Sequence, residues 1–175
     1  MSIKTAVYDY HNPKLGKCIL LQLVDSYVGN AYQYSYIFKK SCIDDLIESC
    51  EQPPYVRNET LIQDALSYAH FFKSSAKDIY ICNLTSNLPH HGFGTDILRS
   101  ISMYANSYNT LENIELTASP SAIPFYKNLG FVEKPYAVSA ESPDMIVNIQ
   151  ASKFADFSKF KFNPEISLAT SEVLR

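Results

Sequence analysis

The stretch that most limits what this chain can fold into is Cys82 to Leu98, CNLTSNLPHHGFGTDIL. A strand-like segment ends near Leu84, gives way to Asn87, Pro89, two histidines and two glycines one residue apart, and resumes as an amphipathic pattern. Strand, bare turn and helix start in that order gather unpaired amide hydrogens at the positive end of a helix dipole, which makes an anion site. Gly92 and Gly94 let a ligand approach main chain without side-chain interference. The other reading of the same residues is a tight connecting turn that holds nothing. No Gly-Lys-Ser/Thr follows, and the third glycine of a dinucleotide fingerprint is missing, so neither of those nucleotide motifs is present.

The segments around this turn predict the architecture. Asp78 to Leu84 (DIYICNL) reads as a buried strand and Phe93 to Asn106 as a helix, with Ile97, Ile101, Tyr104 and Ala105 facing a core and Asp96, Arg99 and Ser100 facing away. Asn113 to Ala118 is a second strand, reached through one parallel crossover. Ser119-Pro120-Ser121 opens a short helix that ends at Gly130, and strands follow at 131–138 and 144–149. Upstream, Lys17 to Asp25 and Ala31 to Phe38 read as a hairpin about a Val28-Gly29-Asn30 turn. A helix from Ser41 to about Glu51 stops before Pro53-Pro54. A second helix starts at Asn58, with Leu61, Ala65, Ala69 and Phe72 as its stripe; the alternation of Leu66, Tyr68, His70 and Phe72 is the competing strand pattern. The expected fold is α/β of the α+β kind, a mixed sheet with helices on its faces. Residues 1–150 form one domain in this reading, and 151–175 are an extension, packed or loose.

Composition narrows the partners. The chain has 175 residues, enough for one domain with a core, and a net charge of −3 with no block of like charges, so no electrostatic footprint points to nucleic acid or an anionic membrane. No apolar run approaches the ~20 residues that span a bilayer, and MSIKTAVYDY lacks a leader pattern, so a cytoplasmic location is expected. Cys18, Cys42, Cys50 and Cys82 show no C-x-x-C or zinc-type spacing, which favours separate reduced thiols and no metal.

Ser121 to Phe131, SAIPFYKNLGF, supplies a second element downstream. Together the two stretches resemble the GNAT acetyltransferase superfamily, whose diagnostic pair is [QR]-x-x-G-x-[GA] after the fourth strand and a later A-x-x-[FL]-Y-x-x-x-GF element. Gly92-Phe93-Gly94 matches the first, and Ala122 to Phe131 the second. The resemblance covers Asp78 to Phe131, under a third of the chain, and its wording is closest to histone-type lysine acetyltransferases, in which a segment like C-A-V-T-x-N-x-Q-V-x-G-Y-G-T aligns without a gap from Cys82 to Thr95. It implies a mostly antiparallel sheet whose central strand pair splays apart. It also implies acetyl-coenzyme A as co-substrate and an acceptor that is either a protein or peptide lysine or a small-molecule amine.

The departures are specific. The Gln/Arg position is Pro89, and the asparagine often found three residues before the alanine is Ser119. Two expected helices also follow a hairpin, where the superfamily usually places its helices before strands two and three.

By this resemblance, amides of His90, His91, Gly92, Phe93, Gly94 and Thr95 hold the pyrophosphate. Ser119 can still donate a hydrogen bond to the cofactor. Main chain around Cys82 and Leu84 grips the pantetheine arm, with Leu84 at the amide that receives the thioester carbonyl. Tyr126 protonates the departing thiolate. Asp78 stands where the histone-type branch keeps its general base, and Glu115 on the neighbouring strand is the second candidate. A proton must leave the acceptor, since a lysine-type amine is almost fully charged at neutral pH. A coenzyme A-binding module without catalysis is one competing function. An interaction protein using Tyr27 to Tyr36 as a contact face is the other.

Overall fold

The computed structural model describes residues 2–27, 30–50, 54–136, 139, 141–166 and 171–173. Strand β1 (Ser2–Asn12) and β2 (Gly16–Tyr27) pair antiparallel from Ser2 opposite Ser26 to Asn12 opposite Gly16. Sequence pattern assigned no strand before Lys17, although Ala6, Val7 and Tyr10 are buried. The turn between β1 and β2 is made by Asn12, whose Oδ1 accepts the Lys14 and Leu15 amides at 2.9 and 3.0 Å, and by Gly16 at φ 87°. Strand β3 (Asn30–Lys39) pairs antiparallel with β2 as expected, while residues 28 and 29 of the expected turn lie outside the described residues.

A 3-10 turn at Lys40–Cys42 leads into helices α1 (Ile43–Cys50) and α2 (Pro54–Asp64). Both lie between the third and fourth strands, so the departure from the usual superfamily order stands. The second helix does not run on to Phe72. It ends at Asp64 and the chain becomes strand β4 (Ser67–Lys73), in which Ser67, Ala69 and Phe71 are buried while Tyr68, His70 and Phe72 are half-buried. Alternation with a period of two outweighs the helical stripe because both faces of this strand have neighbours to pack against.

Strand β5 (Asp78–Ser86), helix α3 (Phe93–Asn106) and strand β6 (Asn113–Thr117) follow as the crossover predicts. A 3-10 turn at Pro120–Ala122 runs into α4 (Ile123–Asn128), which ends before Gly130 at φ 104°. The strand expected at 131–138 shortens to β7 (Val132–Glu133), residues 137 and 138 being outside the described set. Strands β8 (Asp144–Asn148), β9 (Lys161–Phe162) and β10 (Ser171–Val173) complete the chain. The sheet order is β10-β1-β2-β3-β4-β5-β6-β8-β7, with β9 also on β1. Of the described pairings, β1 with β10 and β5 with β6 are parallel and the rest antiparallel.

Each face of the sheet carries its own core. Ile97, Leu98 and Ile101 of α3 and Tyr126 of α4 pack with Leu20, Ile37, Ala69, Phe71, Ile79, Ile81, Ile114 and Leu116. On the opposite face, Leu46 and Cys50 of α1 and Leu61 of α2 cover Ile19, Leu21, Leu23, Tyr36 and Phe38. Helix α3 is buried more fully than its pattern predicts: Asp96 and Ser100, expected outside, are 2% and 0% exposed. Asp96 is covered by the C-terminal segment, which brings Lys159 Nζ to 2.7 Å, and it also takes Arg99 at 3.1 Å. The Ser100 carbonyl accepts Gln22 Nε2 from the sheet at 2.8 Å. Phe154 and Phe160 are buried too, so this part of the extension is packed against α3.

Candidate functional site

The site begins with how β5 loses its neighbours. Its parallel ladder with β6 runs only from Asp78–Asn113 to Ile81–Leu116, and β6 ends at Thr117. Residues 82–86 therefore have no strand partner on that side, and a gap opens in the middle of the sheet. On the other side, His70 pairs with Asn83 and Phe71 with Ile81, which makes Cys82 the extra residue of a β-bulge. The splayed pair expected from the resemblance is present, and the bulge marks where the splay starts.

Along the gap lies a cleft of about 360 Å³. Leu84 and Ser86 of β5 form one wall, Pro89, His90, Gly92, Phe93, Gly94 and Thr95 the end, and Ala122, Phe125 and Tyr126 the other wall. The turn at its end is held from behind. His90 and Gly92 take left-handed conformations at φ 63° and 78°, the Lys14 ammonium donates to the His90 carbonyl, and Asn12 Nδ2 donates to the His91 carbonyl at 2.8 Å. Two carbonyls of the loop are thus held by the β1–β2 turn. The first intrahelical bond of α3 runs from the Asp96 amide to the Gly92 carbonyl at 3.0 Å, leaving the amides of Phe93, Gly94 and Thr95 without a helical acceptor. Gly92, as N-cap, has no side chain to satisfy them. A Cβ on Gly94 would sit 3.2 Å from Phe125 Cζ, so this glycine sets the width between the first turn of α3 and the α4 wall.

Tyr126 is 7% exposed and sits edge-on to Phe125 and Phe131, with ring centroids at 5.2 and 5.3 Å. Its hydroxyl has no hydrogen-bond partner among the described residues, and burial pushes its pKa up to about 12. The phenol is therefore protonated at neutral pH and has a free hydrogen to give.

The structure brings most but not all of the sequence-derived residues together. Leu84, His90, Gly92, Phe93, Gly94, Thr95 and Tyr126 line the cleft. Cys82 is exposed at the bulge. His91 turns aside, with Nδ1 2.7 Å from the Pro89 carbonyl and its ring stacked on Phe93 at 6.0 Å. Ser119 is exposed outside the lining, and its carbonyl accepts the Ala122 amide at 2.9 Å. Neither carboxylate reaches the cleft. Asp78 lies four residues before the bulge, ~13 Å along the strand at ~3.3 Å per residue. It accepts hydrogen bonds from Ser75 Oγ at 2.6 Å and Asn113 Nδ2 at 2.9 Å, which hold it below the usual carboxylate range and make it a poorer base. Glu115 is on the face opposite α3, in an ion pair with Lys134 at 3.0 Å. Ser86, Pro89, Ala122 and Phe125 are lining residues that sequence reasoning missed, Ala122 and Phe125 although they stand inside the matched frame. Asn12 and Lys14 had no local signal, because their partners are 79 and 76 residues away.

Among the described residues, no group of three or more His, Cys, Asp or Glu could hold a metal ion, and no helix is long and apolar enough to cross a membrane. No protein-family model matches the chain, and no curated protein is similar to it. Its fold is similar to an acetyltransferase of the GNAT family from Staphylococcus aureus Mu50, at 14% identity over 67% of each chain with a TM-score of 0.47. A second similar structure is the spermidine/spermine N-acetyltransferase SpeG from Vibrio cholerae, at 11% identity over 67% of this chain and 64% of that one, TM-score 0.46. A third is Ard1 from Thermoplasma volcanium, at 14% identity over 67% and 97%, TM-score 0.44. At these identities and TM-scores, the weight of any functional reading falls on the cleft itself.

Proposed function

We propose that the protein is an acetyl-coenzyme A-dependent N-acetyltransferase that passes the acetyl group to a primary amine by direct attack in a ternary complex. The observation that carries this reading is one continuous cleft joining the unpaired amides of α3 to the Tyr126 hydroxyl beside an unpaired stretch of β5. A pyrophosphate at Phe93 to Thr95 gains the amides and the helix dipole together. The pantetheine arm then lies along residues 82–86, bonding to main chain as an added strand would. Its thioester carbonyl takes an amide near Leu84, where a donor aimed at the developing oxyanion lowers the barrier most. Ser119, exposed at the rim, is left to contact the cofactor from outside the wall.

Tyr126 is the acid in this scheme. Reference values make proton transfer from phenol to thiolate uphill by only ~2 kcal/mol. The buried phenol, at about 12, lies ~3.5 units above a reference thiol, or ~5 kcal/mol. The leaving thiolate is desolvated by the same cleft, which raises its own basicity and narrows that gap. The acceptor is a primary amine of the kind the resemblance implies, a protein or peptide lysine or a smaller amine.

The test is release of free thiol from acetyl-coenzyme A in the presence of amine. Tyr126→Phe is expected to lower kcat by about 10²- to 10⁴-fold with coenzyme A binding retained, the span of a lost general acid. Equal turnover of the two proteins across the pH range removes Tyr126 from the reaction. Binding without turnover in the wild type leaves a silent coenzyme A module, and no binding leaves the contact-protein reading.

A further inference from the structure

The face of the sheet opposite α3 holds a row of rings that the donor site does not use. Tyr34 stacks on His70 with centroids at 4.6 Å and planes at 12°, Tyr32 meets His70 edge-on at 5.1 Å, and Phe72 continues the row to Tyr80 at 5.8 Å. Ala69 and Phe71 point to the α3 core, so His70 between them points to the other side, together with its cross-strand partner Asn83. Asn83 directly follows the bulged Cys82. His70 is therefore an imidazole set at the bulge where the β5–β6 ladder stops, on the paired β4 side of β5 with β5 between it and the gap. Its Nε2 is buried and has no hydrogen-bond partner among the described residues. A buried polar nitrogen left without a partner costs stability, which points to a role beyond packing.

We propose that His70 is the general base of the acyl transfer, with Nε2 receiving the proton of an acceptor amine that enters from the face opposite α3. This rests on the donor-site reading above: the thioester comes along the α3 side of β5, the amine comes from the ring-lined side, and they meet where residues 82–86 lack a neighbour. The amine attacks as the free base, its lone pair forming the N–C bond to the thioester carbonyl. Nitrogen becomes positively charged and acidic, and its proton passes to Nε2. Collapse of the tetrahedral intermediate breaks the C–S bond, and Tyr126 gives its hydroxyl proton to sulfur. His70 then releases one proton to solvent and Tyr126 regains one, so the products are an amide and a thiol. The groups facing His70 are Tyr32 and Tyr34 from β3 and Asn83 from β5. Burial lowers the imidazole's pKa from 6.5, which keeps it neutral and able to accept at pH 7.

The experiment compares wild type with His70→Gln using acetyl-coenzyme A and three probe amines: lysine amide, tyramine and benzylamine. The variant is expected to lose about 10²-fold or more in kcat/KM at pH 7 while binding acetyl-coenzyme A as wild type does in calorimetry. Protonation of the amine lowers kcat/KM with falling pH in both proteins; in wild type the fall steepens below 6.5 as His70 takes up a proton, and this additional acidic limb disappears in the variant. A variant within threefold of wild type with the same limb overturns the proposal. Should His70→Gln fail to fold, the imidazole of wild type is titrated by NMR, and a pKa that does not coincide with the kinetic limb overturns it equally. A wild type that binds acetyl-coenzyme A but acetylates none of the three amines also counts against His70 and leaves the donor site standing. A wild type that binds no acetyl-coenzyme A removes both.

Discussion

The two faces of the sheet meet β5 on different terms. On the α3 side, Ile79 and Ile81 are sealed under Ile97 and Ile101, and the cleft opens only where that packing stops, at Leu84. On the other side, Tyr80 keeps a polar edge, its hydroxyl 3.0 Å from Thr117 Oγ1, which in turn donates to Asp144 at 2.6 Å. Beyond it the surface continues as rings, and the core under α1 and α2 reaches that row at Tyr34 and Tyr68. A tightly packed face suits a cofactor that must be held in one place. A half-buried aromatic face suits a second reactant that must enter and leave.

The largest expected effect tests the packed face. Gly94→Val puts methyl groups where a Cβ alone already stands 3.2 Å from Phe125, so the cleft closes at the first turn of α3. Coenzyme A binding by calorimetry should weaken by at least ~100-fold, with a stability loss of about 1–3 kcal/mol from overpacking. Unchanged affinity would move the donor off this face. Next in size, Asp96→Ala leaves Lys159 and Arg99 without their carboxylate in a nearly closed site. Urea unfolding should show a loss of about 2–4 kcal/mol, less than a fully buried pair because Lys159 is partly exposed. A smaller loss would separate the C-terminal segment from the α3 core.

The smallest effect is expected at Asp78→Asn, at the start of β5. Turnover should stay within threefold, because the carboxylate is tied to Ser75 and Asn113 far from the bulge. The folded pKa of Asp78 is depressed, so its contribution to stability is full above its unfolded value of 3.8 and is lost as pH falls through the folded one. Acid unfolding of the variant should lack that component. A hundredfold loss of turnover would restore Asp78 as the base and weaken the case for His70.

The contrast between the faces is also the contrast between what could and could not be read in the sequence. From Asp78 to Gly130, the signals are local: a strand, a left-handed glycine turn, a 14-residue amphipathic helix and a capped short helix, each specified by residues within a few positions. That segment contains the cleft, and its pattern marks the lining apart from Ser86, Pro89, Ala122 and Phe125. The other face is assembled from β3, β4 and β5, so the His70 contacts join residues 32, 34, 70 and 83 across three strands. Helical and strand periods competed over Leu61 to Phe72, and only the neighbours on both sides decide for β4. Asp96 and Ser100 were misplaced for a similar reason, since a polar residue on a helix reads as exposed until Lys159 or Gln22 arrives from far along the chain.

Diffraction from crystals grown with acetyl-coenzyme A would show where the donor sits. Diphosphate oxygens are expected within hydrogen-bond reach of the Phe93, Gly94 and Thr95 amides, and a sulfur between the Cys82 bulge and the Tyr126 hydroxyl. Cofactor density elsewhere on the molecule, or an empty cleft at saturating concentration, would contradict a donor site at the start of α3.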